Sequence, residues 1–226
     1  MAEQDDWYYP YRLEKQITYM EENLEVGMVS GIAEFFDGEK VIFRMPGLLV
    51  KGNQYPEDPI EMFKWNYRNG PKVTRTCMVI RKSIHIDNGL YFSQHFRVLP
   101  IDWLYILRFS LVAPIRGLNM PLVRLDRRLN RNSATTNRKD MYRGSRELIR
   151  SMYWENSNLL TRKDFNYAMN SQILNEGKNH NLPYFFLKLA EALRHNTFDS
   201  RYLDYFAHLY KRIKLRRRKY KYLYPY

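Results

Sequence analysis

Two stretches of this sequence concentrate cations densely enough to suggest chemistry with an anion. Residues 124–150 read RLDRRLNRNSATTNRKDMYRGSRELIR, with nine cations against three acids, and eight of the nine are arginine. The planar arginine fork pairs phosphate oxygens two at a time and stacks on bases. The polar run 132–137 in its middle reads as an exposed loop, a shape that can follow an irregular backbone. Arg127, Arg128, Arg131, Arg138, Lys139, Arg143 and Arg146 are the predicted nucleic-acid contacts of this block. The second stretch is 211–226, KRIKLRRRKYKYLYPY, with eight Lys or Arg, four Tyr and no acid. Here Lys211, Arg212, Lys214, Arg216, Arg217, Arg218, Lys219 and Lys221 suit a phosphate track. Tyr220 and Tyr222 suit stacking on unpaired bases.

Other chemistries find little footing. The five histidines are His85, His95, His180, His195 and His208, and no pair shows a zinc-enzyme spacing. His85 and His95 flank a predicted Asn88-Gly89 turn, and both read as ordinary strand or surface histidines. There is no GxxxxGK[ST], no GxGxxG and no GxSxG. Glu57 and Asp58 sit in a proline-flanked loop and read as solvated. The expectation is a protein that is no enzyme and takes no metal or other cofactor.

The elements that would position the cationic blocks follow from local patterns. Residues 26–47 hold two β-rich runs around Asp37-Gly38, the chemistry of a tight hairpin turn. Residues 73–96 repeat the layout around Asn88-Gly89, which predicts a second hairpin. Between them, 60–67 predicts one or two helical turns. Asp102 reads as the cap of a helix running to Leu111 and stopped before Pro114. Residues from Glu147 onward read as helices, the last starting at Asp199 or Ser200 with an apolar stripe of Leu203, Phe206, Tyr210 and Ile213. The predicted fold class is α+β: a small antiparallel hairpin sheet or partly open barrel in the N-terminal half, a helical C-terminal half and a basic C-terminal extension. The expected divisions are an acidic segment at 1–24, a β-rich part at 25–100, a helical part at 101–210 and the tail at 211–226.

Charge follows those divisions. The 226 residues carry a net +13, from −6 over residues 1–50 to +7 over 101–150 and +8 over 211–226. Such blocks favour polyanionic partners. One cysteine, Cys77, in the apolar run 77–80, excludes an internal disulfide and reads as a buried thiol. The acidic start MAEQDDWYYP is neither a secretory signal nor a transit peptide, so the expected location is intracellular, in cytoplasm or an organelle interior. The stretch 101–112 is too short to span a bilayer, which takes roughly 20 apolar residues.

A compact body with basic, aromatic-bearing extensions resembles the structural proteins of ribosomes and other large ribonucleoprotein assemblies. That layout implies a non-catalytic subunit, organellar-ribosome-like, with structured rRNA-like RNA and neighbouring protein subunits as partners and no homo-oligomer indicated. The alternatives are an accessory or scaffold subunit of a membrane-associated complex, or a viral structural protein, with the basic blocks facing a membrane surface of anionic lipid or acidic partners.

Overall fold

The computed structural model describes residues 6–92, 100–126, 138–178, 181–195 and 199–216. It is mixed α+β, a five-stranded sheet followed by a helical C-terminal part. The sheet is open and is not closed into a barrel. The chain divides into two compact units, Met1–Gly144 and Ser145–Tyr226.

The first unit holds strands β1 (Trp7–Tyr8), β2 (Met28–Phe36), β3 (Val41–Met45), β4 (Val79–Ile80) and β5 (Ile115–Asp126), in the order β1-β5-β2-β3 with β4 also on β2. β2, MVSGIAEFF, is buried at every residue but its last. A strand covered on both faces reads as a continuous run, without polar alternation. It pairs antiparallel with β3 and β4 and parallel with β5. Parallel neighbours need a long crossover. Helices α2 (Gly47–Val50), α3 (Pro59–Asn69), α4 (Lys82–Asp87) and α5 (Ile101–Ser110) fill it, and α1 (Arg12–Glu22) precedes β2.

Local chemistry accounts for these elements. Asp58, read from sequence as a solvated loop carboxylate, caps α3 by accepting the Glu61 amide at 2.8 Å, with Pro59 opening the helix. Met62, Phe63, Asn66 and Tyr67 then face inward at helical spacing. α5 is a core helix, buried at Trp103 through Leu107 and again at Phe109 and Ser110. The first hairpin forms as expected, with a loop at 37–40: Asp37 Oδ1 accepts the Glu39 and Lys40 amides at 3.1 and 3.0 Å, and Gly38 takes φ 106°.

Two expectations fail. The second hairpin is absent: residues 82–87 form α4, and Gly89, at φ 58°, stops that helix as the Leu90 amide returns to the His85 carbonyl at 3.0 Å. Asn-Gly chemistry serves a helix end as well as a hairpin. β5 lies where helix was expected. Its Pro121 argues against a strand between two neighbours, but the register against β2 shifts between Gly31 and Ala33, and that irregularity accommodates the proline.

The second unit holds most of α6 (Arg138–Glu155), then α7 (Arg162–Lys178), α8 (Leu182–His195) and α9 (Arg201–Arg216). Ile173, Leu174, Phe185, Ala192 and Tyr205 form its core. The Phe185 and Tyr205 rings stack at 3.8 Å, and Gly177 leaves the space into which the Tyr205 hydroxyl fits. The apolar stripe read on α9 faces outward: Leu203, Phe206 and Tyr210 are 76, 46 and 67% exposed. Tyr202, Tyr205 and Leu209 make the inward face. The Ile213 side chain lies outside the described ones.

Candidate functional site

The residues that form a site lie on a short loop none of the cationic blocks includes. Residues 74–78 turn once through a 3-10 helix at Arg75–Cys77, with the Cys77 amide on the Thr74 carbonyl at 2.9 Å. α1 clamps one side of this loop. Gln16, fully buried, donates to the Cys77 carbonyl at 2.6 Å and to the Val29 carbonyl at 2.9 Å. Arg12, also buried, holds Gln16 at 3.0 Å and reaches the Met78 carbonyl at 3.4 Å. These two polar side chains tie α1, β2 and the loop together, which explains why an amphipathic helix buries Arg and Gln.

On the other side Arg75 donates to Asp102 Oδ1 at 3.2 Å. Asp102 sits in the first turn of α5 and makes no cap bond there. The adjacent Trp103 fixes the helix start by donating to the Asn66 carbonyl at 3.1 Å. Burial pushes the Asp102 carboxyl above its ordinary value, and the Arg75 charge and hydrogen bond offset part of that rise. Both side chains remain over a third exposed, so the pair opens to solvent. A carboxylate with a raised proton affinity, held by one orienting cation and still accessible, is a general-base arrangement.

The loop also lies close to Asp6. Burial first, and then the Asp6 charge, raise the Cys77 thiol to about 12, while Arg12 acts against them. Asp6 likewise adds to the upward shift that burial imposes on Tyr8. Two acids thus act on the 74–78 loop, Asp6 through its charge on Cys77 and Asp102 through its bond to Arg75. The Thr74 and Thr76 hydroxyls are buried in the same loop without a hydrogen-bond partner among the described residues.

Two further charged clusters are structural in form. Glu34 on β2 is met by the Tyr9 hydroxyl at 2.6 Å and by Arg44 and Arg124 at 2.8 and 3.3 Å. In the second unit Glu176 is paired with Arg146 and with Lys188, and accepts the Tyr184 hydroxyl at 2.8 Å. Among the described residues no group of three His, Cys, Asp or Glu is placed to hold a metal ion. His85 contacts the Tyr105 hydroxyl at 3.0 Å from α4, and His95 lies outside the described residues.

The described members of the predicted cationic contacts lie on α6 and α9. Arg143 is exposed on α6, whereas Arg146 is committed to Glu176. Arg138 and Lys139 start α6, and Lys211, Arg212, Lys214 and Arg216 end α9. Of these, only Lys211 has a described side chain, and it is exposed. Arg127, Arg128, Arg131, Arg217, Arg218, Lys219, Tyr220, Lys221 and Tyr222 lie outside the described residues. Asp102 was legible only as a helix cap. The available signal was an acid opening the most apolar stretch of the chain, where solvation alone does not explain it.

The sequence matches no protein-family model and no curated protein. Solved structures do match. The fold resembles that of Staphylococcus aureus TarS. Against TarS 1–349 the TM-score is 0.52 at 16% identity, over 84% of this chain and 52% of that one. Against TarS 1–349 in complex with UDP-GlcNAc it is 0.54 at 15% identity, over 86% and 56%. The chain thus spans about half the length of the TarS chains it matches. TarS is a glycosyltransferase. This likeness overturns the reading of a non-catalytic, RNA-binding, ribosome-like subunit: most of the chain has the fold of an enzyme solved with a nucleotide sugar bound. The expectations of rRNA as partner and of a scaffold or viral structural role fall with it. Among the described residues, no helix is long and apolar enough to cross a membrane.

Proposed function

We propose that this chain is part of a glycosyltransferase that uses a nucleotide sugar of the UDP-GlcNAc kind. The observation that carries the reading is the fold shared with TarS in its UDP-GlcNAc complex over 86% of this chain. The 74–78 loop and the two acids that act on it supply the chemistry. In sugar transfer an acceptor hydroxyl oxygen attacks the anomeric carbon. The bond from that carbon to the diphosphate breaks, and the diphosphate leaves with the electron pair. The acceptor proton must go to a base. Asp102 is our candidate for that role: burial raises its proton affinity, and Arg75, which donates to it, offsets part of that rise and aims it. Arg75 is the positioning residue. Asp6 is the second acidic group whose charge reaches the loop. We place the activity inside the cell, where the single thiol Cys77 stays reduced.

The test is UDP-GlcNAc binding by calorimetry, and UDP release from it, with the full chain. Binding is expected, and Asp102→Asn keeps it while reducing release by roughly 100-fold or more. The acid limb of the release profile should lie above the ordinary aspartate value of 3.8 and vanish in Asp102→Asn. Absence of binding to both UDP-GlcNAc and UDP would sink the reading, and release unchanged in Asp102→Asn would remove Asp102 from it.

A further inference from the structure

Arg12 opens α1 and is buried, yet packing alone does not call for a guanidinium there. A buried cation costs free energy that an apolar side chain of similar volume does not. Its donors are divided between two neighbours. Nε donates to Gln16 Oε1 at 3.0 Å, and Nη2 donates to the Met78 carbonyl at 3.4 Å. The Met78 amide in turn donates to the Arg75 carbonyl at 3.0 Å. Arg75 then donates from Nη1 to Asp102 Oδ1 at 3.2 Å. One line of hydrogen bonds therefore runs from α1 through the 74–78 loop to α5: Arg12, Met78, Arg75, Asp102.

We propose that Arg12 is a positioning residue for Asp102, holding the 74–78 backbone where the Arg75 side chain can aim that carboxylate. The proposal rests on the glycosyltransferase reading, with Asp102 as the base. The turn closes on Arg75 itself, so a displacement of Met78 passes to the residue that bears the guanidinium. Gln16 is not a substitute: it grips the Cys77 and Val29 carbonyls, and the Cys77 amide runs to Thr74. Arg81 provides a contrast. It ties the far end of α1 by donating to the Met20 carbonyl at 2.9 Å and stands outside this line.

The NMR signal of the Asp102 carboxyl carbon, followed against pH in the full chain, tests the coupling without any sugar nucleotide. Burial raises that carboxyl, and Arg75 offsets part of the rise. Arg12→Met should therefore move its titration upward, in the direction of Arg75→Met. It should add nothing in the Arg75→Met background, because both act on one line. Arg12→Lys keeps the charge but cannot grip Gln16 and Met78 together. It should give a smaller upward shift, and it serves the test if the methionine variant does not fold. Arg81→Met should leave the titration in place. In UDP release from UDP-GlcNAc, Arg12→Met should lower kcat roughly ten-fold or more and carry the acid limb upward. Three results overturn the proposal: a titration unmoved in both Arg12 variants, one moved equally by Arg81→Met, or an Arg12 effect that persists without Arg75. The expected shifts in a chain that binds no UDP-GlcNAc would uphold the coupling and sink the transferase reading instead.

Discussion

Glu34 shows how this chain uses a buried acid without making it reactive. Its side chain is 3% exposed, while its partners Arg44 and Arg124 are 52 and 32% exposed. Burial alone would raise its proton affinity, but hydrogen bonds from Tyr9, Arg44 and Arg124 outweigh burial and hold the carboxyl below its ordinary 4.5. A group with a depressed folded value stabilises the fold above its unfolded value, and that contribution disappears as pH falls through the folded one. Glu34→Gln should therefore cost on the order of 2 kcal/mol at neutral pH, as expected for hydrogen bonds to a charged group. The cost should shrink as pH falls below the ordinary 4.5 and through the depressed folded value, where the wild type loses the same contribution. Urea unfolding of both proteins over that range checks it, and a pH-independent difference would contradict it. Asp102 is the opposite case: burial raises its proton affinity, and the Arg75 guanidinium offsets only part of that, where three donors outweigh burial at Glu34. The sequence does not distinguish the two acids. The difference lies in partners 10 to 90 residues away from Glu34 and 27 away from Asp102.

Element by element, local chemistry was readable where it had one outcome and misleading where it had two. Asp37-Gly38 lies between runs that have nothing else to do but pair, and the hairpin forms. Asn88-Gly89 follows Lys82-Ser83-Ile84-His85, which completes a helical turn before the glycine, so the same dipeptide ends a helix. On α9, spacing alone marked Leu203, Phe206 and Tyr210 as an apolar stripe, but Tyr202, Tyr205 and Leu209 have equal spacing and make the inward face beside Phe185. The hairpin itself is testable at Gly38. Its φ of 106° lies where a β-branched side chain is strained. Gly38→Val should destabilise the first unit by about 1 kcal/mol or more. A melting temperature equal to that of wild type would argue that the loop at 37–40 rearranges freely.

Across the whole molecule, composition pointed one way and architecture another. A net charge of +13 describes solubility, counter-ions and encounter rates, and it does not specify a fold. The fold rests on β2 and β5 pairing in parallel across an intervening stretch of nearly 80 residues, a contact that no local pattern announces. Near that pairing the chain keeps its single thiol. Cys77 is 0% exposed and its proton affinity is pushed up to about 12, so as folded it offers a thiol reagent neither access nor thiolate. The untouched chain can therefore serve as its own opening clock. A maleimide can react only after α1 releases the 74–78 loop, so labelling should run roughly 1,000-fold or more below the rate of a free cysteine. UDP-GlcNAc, if seated at that loop, should slow it further. Labelling at the free rate would mean that the loop stands open for much of the time, and that Arg12 and Gln16 do not hold it.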